Sequence, residues 1–404
     1  MPEITRTASG YILSWENVVI KVSRLDAHKS GDVSAIIQIR NPKDNLILCP
    51  SFKFNFAAPR SRKELINDLT GKFPGLAWQE IIDELCQKVQ ELAWKGEPAE
   101  IVEAIDDIII PPEYLLEPVI MAGIPSVIFG DKGVHKTTLC LLFAACVSLA
   151  PWDDNPLGMV TNCHSVKVAM LDWEADRKLT QYNVLRLRKG MDVPYFSMDY
   201  KRCRLPLVDS IEQISTFLEE KEIGLVIIDS LGAACGGDLF KPEPALKFFE
   251  ALRSLNRTSL IIAQNAKNEE NKRSIFGSTY FSYYSRNIFE LRKSSDILDK
   301  DESSVALFHK ESNYSGKADP IGFHFHFTRE TIKVEREAVN YGEFADRVSR
   351  QKLLIELLKD GALSNIEIAQ KLEISQGNVR ILTKRLADKK QIVKTEGSKW
   401  GLLI

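Results

Sequence analysis

Residues 126–139 put chemistry-capable side chains in a tight order. The apolar run Ser126-Val127-Ile128-Phe129 ends in Gly130-Asp131-Lys132-Gly133-Val134-His135, and Lys136-Thr137-Thr138 then opens an apolar helix. A glycine-studded turn between a strand and a helix lets backbone N–H groups surround an anion. A lysine and a hydroxyl at the helix start add a cation and a metal ligand. This is the plan of a phosphate-binding loop, G-x-x-x-x-G-K-[ST], with His135 standing where the second glycine belongs. Glycine there opens a backbone conformation that side chains disfavour. His135 must therefore accept a positive φ, at a strain of about 1 to 3 kcal/mol, or bend the loop away. Either route is expected to weaken triphosphate binding and reduce turnover.

Two further strand ends carry acids. Gly224-Leu225-Val226-Ile227-Ile228-Asp229 puts a carboxylate after a wholly apolar run, where it can order the water shell of Mg²⁺ behind Thr137. Val168-Ala169-Met170-Leu171-Asp172-Trp173-Glu174 ends in two acids, and Glu174 is suited to activate an attacking water. A third strand ends at Gln264, a polar group able to sense a terminal phosphate. An apolar strand ending in Asp is by itself usually a cap or turn. The ordered combination with Lys136 and Thr137 is what points to nucleotide binding.

The elements that must position these groups follow from periodicity. Short β-branched runs at 126–129, 166–171, 225–228, 259–263, 287–291, 305–309 and 322–327 alternate with helical patterns, predicting an α/β core with a mostly parallel sheet over 119–335. In such sheets ligands bind beyond the carboxyl ends of the strands. Residues 1–95 read as a small α+β accessory domain. It has strands at 11–15, 33–39 and 46–49, a hairpin turn at 41–45, and helices around 63–69 and 77–93. No nucleophile or metal cluster stands out there, so a role in oligomerisation or in holding a protein partner is expected. Pro- and Gly-containing stretches at 96–118 and a segment at 336–348 read as linkers.

Residues 349–404 predict a winged helix. Helices run from 352 to 358, from the cap Ser364 to 372, and from the cap Ser375 along 376–390, and a hairpin joins 392–394 to 399–402. From residue 350 onward there are eleven Lys or Arg against six Asp or Glu, a local +5 in a chain of net charge −2. Gln376, Asn378 and Arg380 could touch base edges, while Lys384, Arg385 and Lys399, with Lys389 and Lys390 beside them, would bind phosphates. Winged helices also serve as protein–protein modules; the charge favours DNA.

The central segments resemble RecA-like P-loop ATPases, in particular the RepA-type hexameric replicative helicases of plasmids and phages. The resemblance rests on residues 130–138, Leu171-Asp172-Trp173-Glu174-Ala175-Asp176, residues 228–238, and Ile275-Phe276-Gly277-Ser278, and it covers about half the chain. It implies ATP and Mg²⁺ as cofactors, with Lys136 and Thr137 on phosphate and metal, Glu174 as general base, Asp229 supporting the metal, and Gln264 linking hydrolysis to DNA. It also implies a self-assembled ring in which a neighbour supplies an arginine finger. Arg286 is the better candidate and Lys310 the weaker, because Lys310-Glu311-Ser312 lacks the family's Lys-x-Arg. A surface salt bridge is the alternative role for Arg286.

Other features exclude more than they assign. His324 and His326 share one strand face, but two ligands without a third do not make a zinc site, and a half-exposed edge strand is expected. Seven cysteines without a C-x-x-C pair argue against a disulfide framework. The longest apolar stretch is about twelve residues, short of the roughly 20 that span a bilayer. With an amino terminus unlike a signal peptide, the expectation is a cytoplasmic protein without membrane contact. The leading expectation is an oligomeric DNA-acting ATPase, a helicase or helicase-like motor of a mobile element. The alternative is a non-hydrolysing DNA-binding regulator or assembly factor that uses the core to oligomerise.

Overall fold

The computed structural model describes residues 2–7, 10–27, 31–95, 113–266, 274–294, 301–314, 316–339, 350–372, 374–388 and 390–403. Most of both expected linkers, and Lys389, lie outside the described residues.

The amino-terminal unit is a five-stranded antiparallel meander: β1 (Glu3–Thr7), β2 (Gly10–Ser14), β3 (Val19–Ala27), β4 (Val33–Arg40) and β5 (Ile47–Asn55). Helices α1 (Pro59–Lys72) and α2 (Trp78–Lys95) follow. Alternation along β4 sends Val33, Ala35, Ile37 and Ile39 inward, where they meet Leu69, Trp78, Ile82, Leu85 and Val89 in one core. Sequence periodicity missed β1 and β3. Charged residues break the apolar run of β3, and they have partners in the core domain, described below.

The central unit opens with the short β6 (Tyr114–Leu116) and β7 (Ile120–Met121). It continues through β8 (Pro125–Gly130), α3 (Lys136–Ser148), β9 (Val168–Asp172), α4 (Arg177–Met191), β10 (Asp199–Arg202), α5 (Leu207–Glu220), β11 (Leu225–Asp229), α6 (Leu231–Cys235), α7 (Pro242–Leu255) and β12 (Thr258–Gln264). It ends with α8 (Tyr280–Tyr284), β13 (Asn287–Lys293), β14 (Glu302–Ser312), β15 (Ile321–Phe327) and β16 (Ile332–Glu337). One nine-stranded sheet has the order β10-β9-β11-β12-β8-β13-β14-β15-β16. Pairing is parallel from β10 to β13 and antiparallel from β13 to β16. Strands β9 and β11 are buried throughout, as expected of parallel strands covered on both faces. One face packs on α3 around Leu139, Leu142, Phe143 and Phe323; the other packs on α5 and α7 around Ile214, Phe248 and Phe249. Helix α3 is apolar on nearly every side because it is enclosed. This is an α/β core with a mostly parallel sheet and an antiparallel extension.

Three corrections to the sequence reading concern this sheet. Strands β10 and β16 were not anticipated, since Asp199–Arg202 is polar and Ile332–Glu337 mostly charged. Strand β15 is not an edge, because β16 covers its outer side. Its histidines engage acids on the neighbouring strands: His326 Nδ1 is 3.4 Å from Glu302 Oε1 and His324 Nδ1 is 3.7 Å from Glu337 Oε2. Among the described residues no group of three or more His, Cys, Asp or Glu could hold a metal ion.

The meander reaches α5 through its charged residues. Lys21 Nζ donates to Thr216 Oγ1 at 3.0 Å, and Arg24 Nε donates to Glu212 Oε1 at 2.8 Å. The carboxy-terminal unit contains α9 (Arg350–Lys359), α10 (Asn365–Lys371), α11 (Gln376–Asp388) and the antiparallel pair β17 (Ile392–Lys394) and β18 (Trp400–Leu402) around Leu354, Leu358, Ile368, Val379 and Leu386. Ser364 forms a complete capping box with Glu367 at the start of α10. The winged-helix topology is as the sequence indicated. No helix among the described residues is long and apolar enough to cross a membrane.

Helix α4 crosses β16 so closely that a Cβ at Gly190 would lie 2.2 Å from the Ile332 carbonyl oxygen. Backbone cannot yield as a flexible side chain would. Gly190→Ala is therefore expected to destabilise the core by about 1–3 kcal/mol, read as a fall of roughly 3–10 °C in Tm in a thermal melt.

Candidate nucleotide site and helical tail

Register assembles the site. In the parallel ladders Gln264 pairs with Gly130, Asp229 with Ile262, and Asp229 with Asp172, so the carboxyl ends of β8, β12, β11 and β9 share one edge. The loop 130–135 and the start of α3 sit there. Gly130 must be glycine for a packing reason: a Cβ would meet the Leu291 carbonyl oxygen of β13 at 2.3 Å. Asp131, Lys132 and Gly133 are exposed, Val134 is buried, and Gly133 takes φ 82°.

His135 takes the first of the two routes open to it. It is left-handed at φ 63°, ψ 27°, immediately before α3. Its ring lies 4.6 Å from that of Phe327 and 5.2 Å from that of Phe325, on the strand whose other face carries the histidines. Burial, and secondarily the charge of Lys293, push the imidazole down to about 4, so it is neutral at physiological pH.

The loop keeps its hook. Lys136 Nζ donates to the carbonyls of Gly130 at 2.9 Å and Asp131 at 2.7 Å. Burial lowers its pKa, with Asp229 and Asp131 opposing. Thr137 Oγ1 donates to Asp229 Oδ2 at 2.7 Å, joining loop and strand end across 92 residues of sequence. Burial pushes the Asp229 carboxyl up to about 6, with Glu174 and Asp172 adding to the rise and Thr137 and Lys136 opposing it. A buried carboxylate and a hydroxyl in contact, with Glu174 and Asp172 nearby, suit a divalent cation, which would relieve that crowding. Thr138 follows Thr137, half-buried, in the first turn of α3.

Glu174 is brought to Asp229 by the neighbouring strand. Its Oε1 accepts from the Ser230 hydroxyl, and its N–H donates to Asp172 Oδ1 at 2.9 Å. Asp172 is fully buried and also accepts from the Ala175 N–H and from the Tyr200 hydroxyl at 3.0 Å. It shapes the turn that aims Glu174. The side chain of Gln264 is exposed beside Gly130, and Asn265 Nδ2 donates to Asp131 Oδ1 at 3.2 Å.

Arg286 is not part of this constellation. It is exposed and precedes Asn287, which pairs with Ser126 at the amino end of β8, the opposite edge of the sheet from the loop. It cannot reach this chain's own phosphate site. Lys310 Nζ lies 3.5 Å from the buried Glu290, which also pairs with Arg292. Sequence reading missed Ser230, Asn265, Tyr200 and Lys293. Ser230 and Asn265 directly follow residues singled out for their strand ends. Tyr200 and Lys293 had no sequence signal, because only strand pairing brings them near.

On the tail, Gln376, Asn378, Arg380, Lys384 and Arg385 are all exposed on α11, while Val379, Thr383 and Leu386 face inward. Lys399 is half-buried with Nζ 3.8 Å from Glu367, so its charge is partly engaged.

Residues 96–269 match the model of the AAA domain family, and residues 347–393 match that of winged helix-turn-helix DNA-binding domains. A KaiC-like protein from the hyperthermophilic archaeon Pyrococcus horikoshii OT3 is among similar solved structures, at 12% identity and TM-score 0.38, over 55% of this chain and 95% of that one. No curated protein matches. The chain thus matches an AAA domain over most of its parallel-sheet core and a winged helix-turn-helix DNA-binding domain over its carboxy-terminal unit.

The raised pKa of Asp229 gives a stability prediction with a definite sign. Above pH 6 the carboxylate is ionised in both states and the folded protein bears its desolvation. As pH falls from about 6 toward 4 the folded state takes up the proton first and this cost disappears. Asp229→Asn is expected to stabilise the ligand-free protein at pH 7.5 by up to about 3 kcal/mol, read as a higher Tm. The gain should shrink as the melts are moved from pH 6 to pH 4.

Proposed function

We propose that this chain is an ATP- and Mg²⁺-dependent, DNA-acting motor of the RepA-like helicase kind, working as a ring of identical subunits. The observation that carries the reading is the joined set Lys136, Thr137, Asp229 and Glu174 at one sheet edge, with Thr137 bonded to Asp229 and Glu174 held beside it by Ser230. A chain with no use for triphosphate has no need to keep a buried carboxylate at a strand end against its own desolvation.

The residues act as follows in this reading. Lys136 exchanges the carbonyls of Gly130 and Asp131 for phosphate oxygens, and the N–H groups of residues 131–137 and the start of α3 cradle the rest. Mg²⁺ supplies charge neutralisation on the phosphates, and Thr137 with Asp229 is the pair that would hold it. Glu174, freed from Ser230, takes the proton of the attacking water. Gln264, beside Gly130, relays the state of the site toward DNA. Arg286, remote from its own loop, would serve the loop of a neighbouring copy. The units 1–95, 119–335 and 349–404 act as partner module, motor and DNA reader, with Gln376, Asn378 and Arg380 at bases, Lys384 and Arg385 on phosphates and Lys399 in reserve. A non-hydrolysing regulator is the second reading, favoured only by the histidine in the loop.

DNA-stimulated ATP hydrolysis by the full chain separates the two. Turnover is expected, and Glu174→Gln should lower it by about 10² to 10⁴-fold while leaving Mg²⁺–ATP binding intact. Hydrolysis unchanged by that substitution sinks the motor reading. Removing residues 349–404 is expected to weaken DNA binding and flatten its dependence on salt, with about one unit of slope lost per phosphate contact removed.

A further inference from the structure

We propose that His135 is a positioning residue: its ring, seated on Phe325 and Phe327, fixes the left-handed bend that aims Lys136. This rests on the reading of residues 130–138 as a phosphate loop. A glycine at this position permits the bend but does not enforce it, because glycine samples both signs of φ freely. His135 adopts the bend at φ 63° and then anchors it through side-chain packing on β15. Its Nε2 is buried without a hydrogen-bond partner in the structure, so ring packing is what sets its position.

The seat is itself braced. Phe327 stacks on Phe325 with centroids 5.7 Å apart, and its N–H donates to the Asp301 carbonyl at 2.7 Å. The turn after it is tied to α4: the Tyr182 hydroxyl donates to the Arg329 carbonyl at 2.7 Å, Arg186 donates to the Thr328 carbonyl, and Lys189 Nζ is 3.3 Å from Glu330 Oε2. Helix α4 starts at the Asp176 cap, two residues beyond Glu174. The residue before the loop lysine is thus held by the same helix that follows the general-base strand. Replacing histidine by glycine would restore the motif in sequence and remove this anchor.

The test uses the full chain and two readouts: hydrogen–deuterium exchange of the amides of residues 130–139 without nucleotide, and binding of a non-hydrolysable ATP analogue with Mg²⁺. His135→Gly, His135→Asn and Phe327→Leu should each raise loop exchange and weaken binding about two- to tenfold, the range expected for losing one aromatic pair. Phe327→Tyr keeps the ring surface and should behave as the parent. The double variant His135→Gly/Phe327→Leu should be no worse than the worse single, because His135→Gly already removes the contact that Phe327→Leu breaks. Unchanged or slower loop exchange in His135→Gly, or effects that multiply in the double variant, overturns the proposal. If the parent binds no analogue, the nucleotide reading fails, and loop exchange alone still decides whether the seat holds the bend.

Discussion

The hydrogen bond from Thr137 to Asp229 is the contact on which the site depends. It joins the first turn of α3 to the end of β11 although β12 lies between β11 and the loop strand. The loop strand therefore lies on one side of β12, and β11 and β9, which end in Asp229 and Asp172 and lead to Glu174, lie on the other. A hydroxyl from the helix start and a carboxylate from the strand end meet across β12. Burial at that junction, with Glu174 and Asp172 close by, is what raises the Asp229 carboxyl to about 6.

His135 changes meaning between the sequence and the fold. In the linear motif it reads as damage, since the histidine stands where glycine's freedom is expected. In the fold the bend is present, and the ring that threatened it is absorbed by Phe325 and Phe327. Those residues lie about 190 positions later in the chain, on a strand that the sequence suggested was an edge. Local strain at the loop is offset by tertiary packing, a common pattern at functional sites.

The antiparallel extension β14–β16 does more than widen the sheet. One face of β15 supplies the aromatic seat, while the other carries His324 and His326 against Glu302 and Glu337. Strand β16 in turn accepts α4 at the close contact over Gly190. The loop, the extension and the helix after Glu174 therefore form one packed unit, in which a change at any part is felt as volume or register by the others.

Sequence alone determined the local pieces. The apolar runs before Gly130, Asp172 and Asp229, alternating with helical patterns, pointed to a mostly parallel sheet, Ser364 read as a helix cap, and residues 376–390 showed a helix with a polar outer face. These features depend on neighbours within a few residues, so they are legible in one dimension. Tertiary structure decided what those pieces touch. It set Glu174 beside Asp229 through strand pairing, put Arg286 at the wrong edge for its own site, and brought Lys293 and two phenylalanines to His135. Strands β3, β10 and β16 were hidden for the same reason, since their polar residues are accommodated by partners far along the chain. Such contacts arise from packing and register, and no local pattern encodes them.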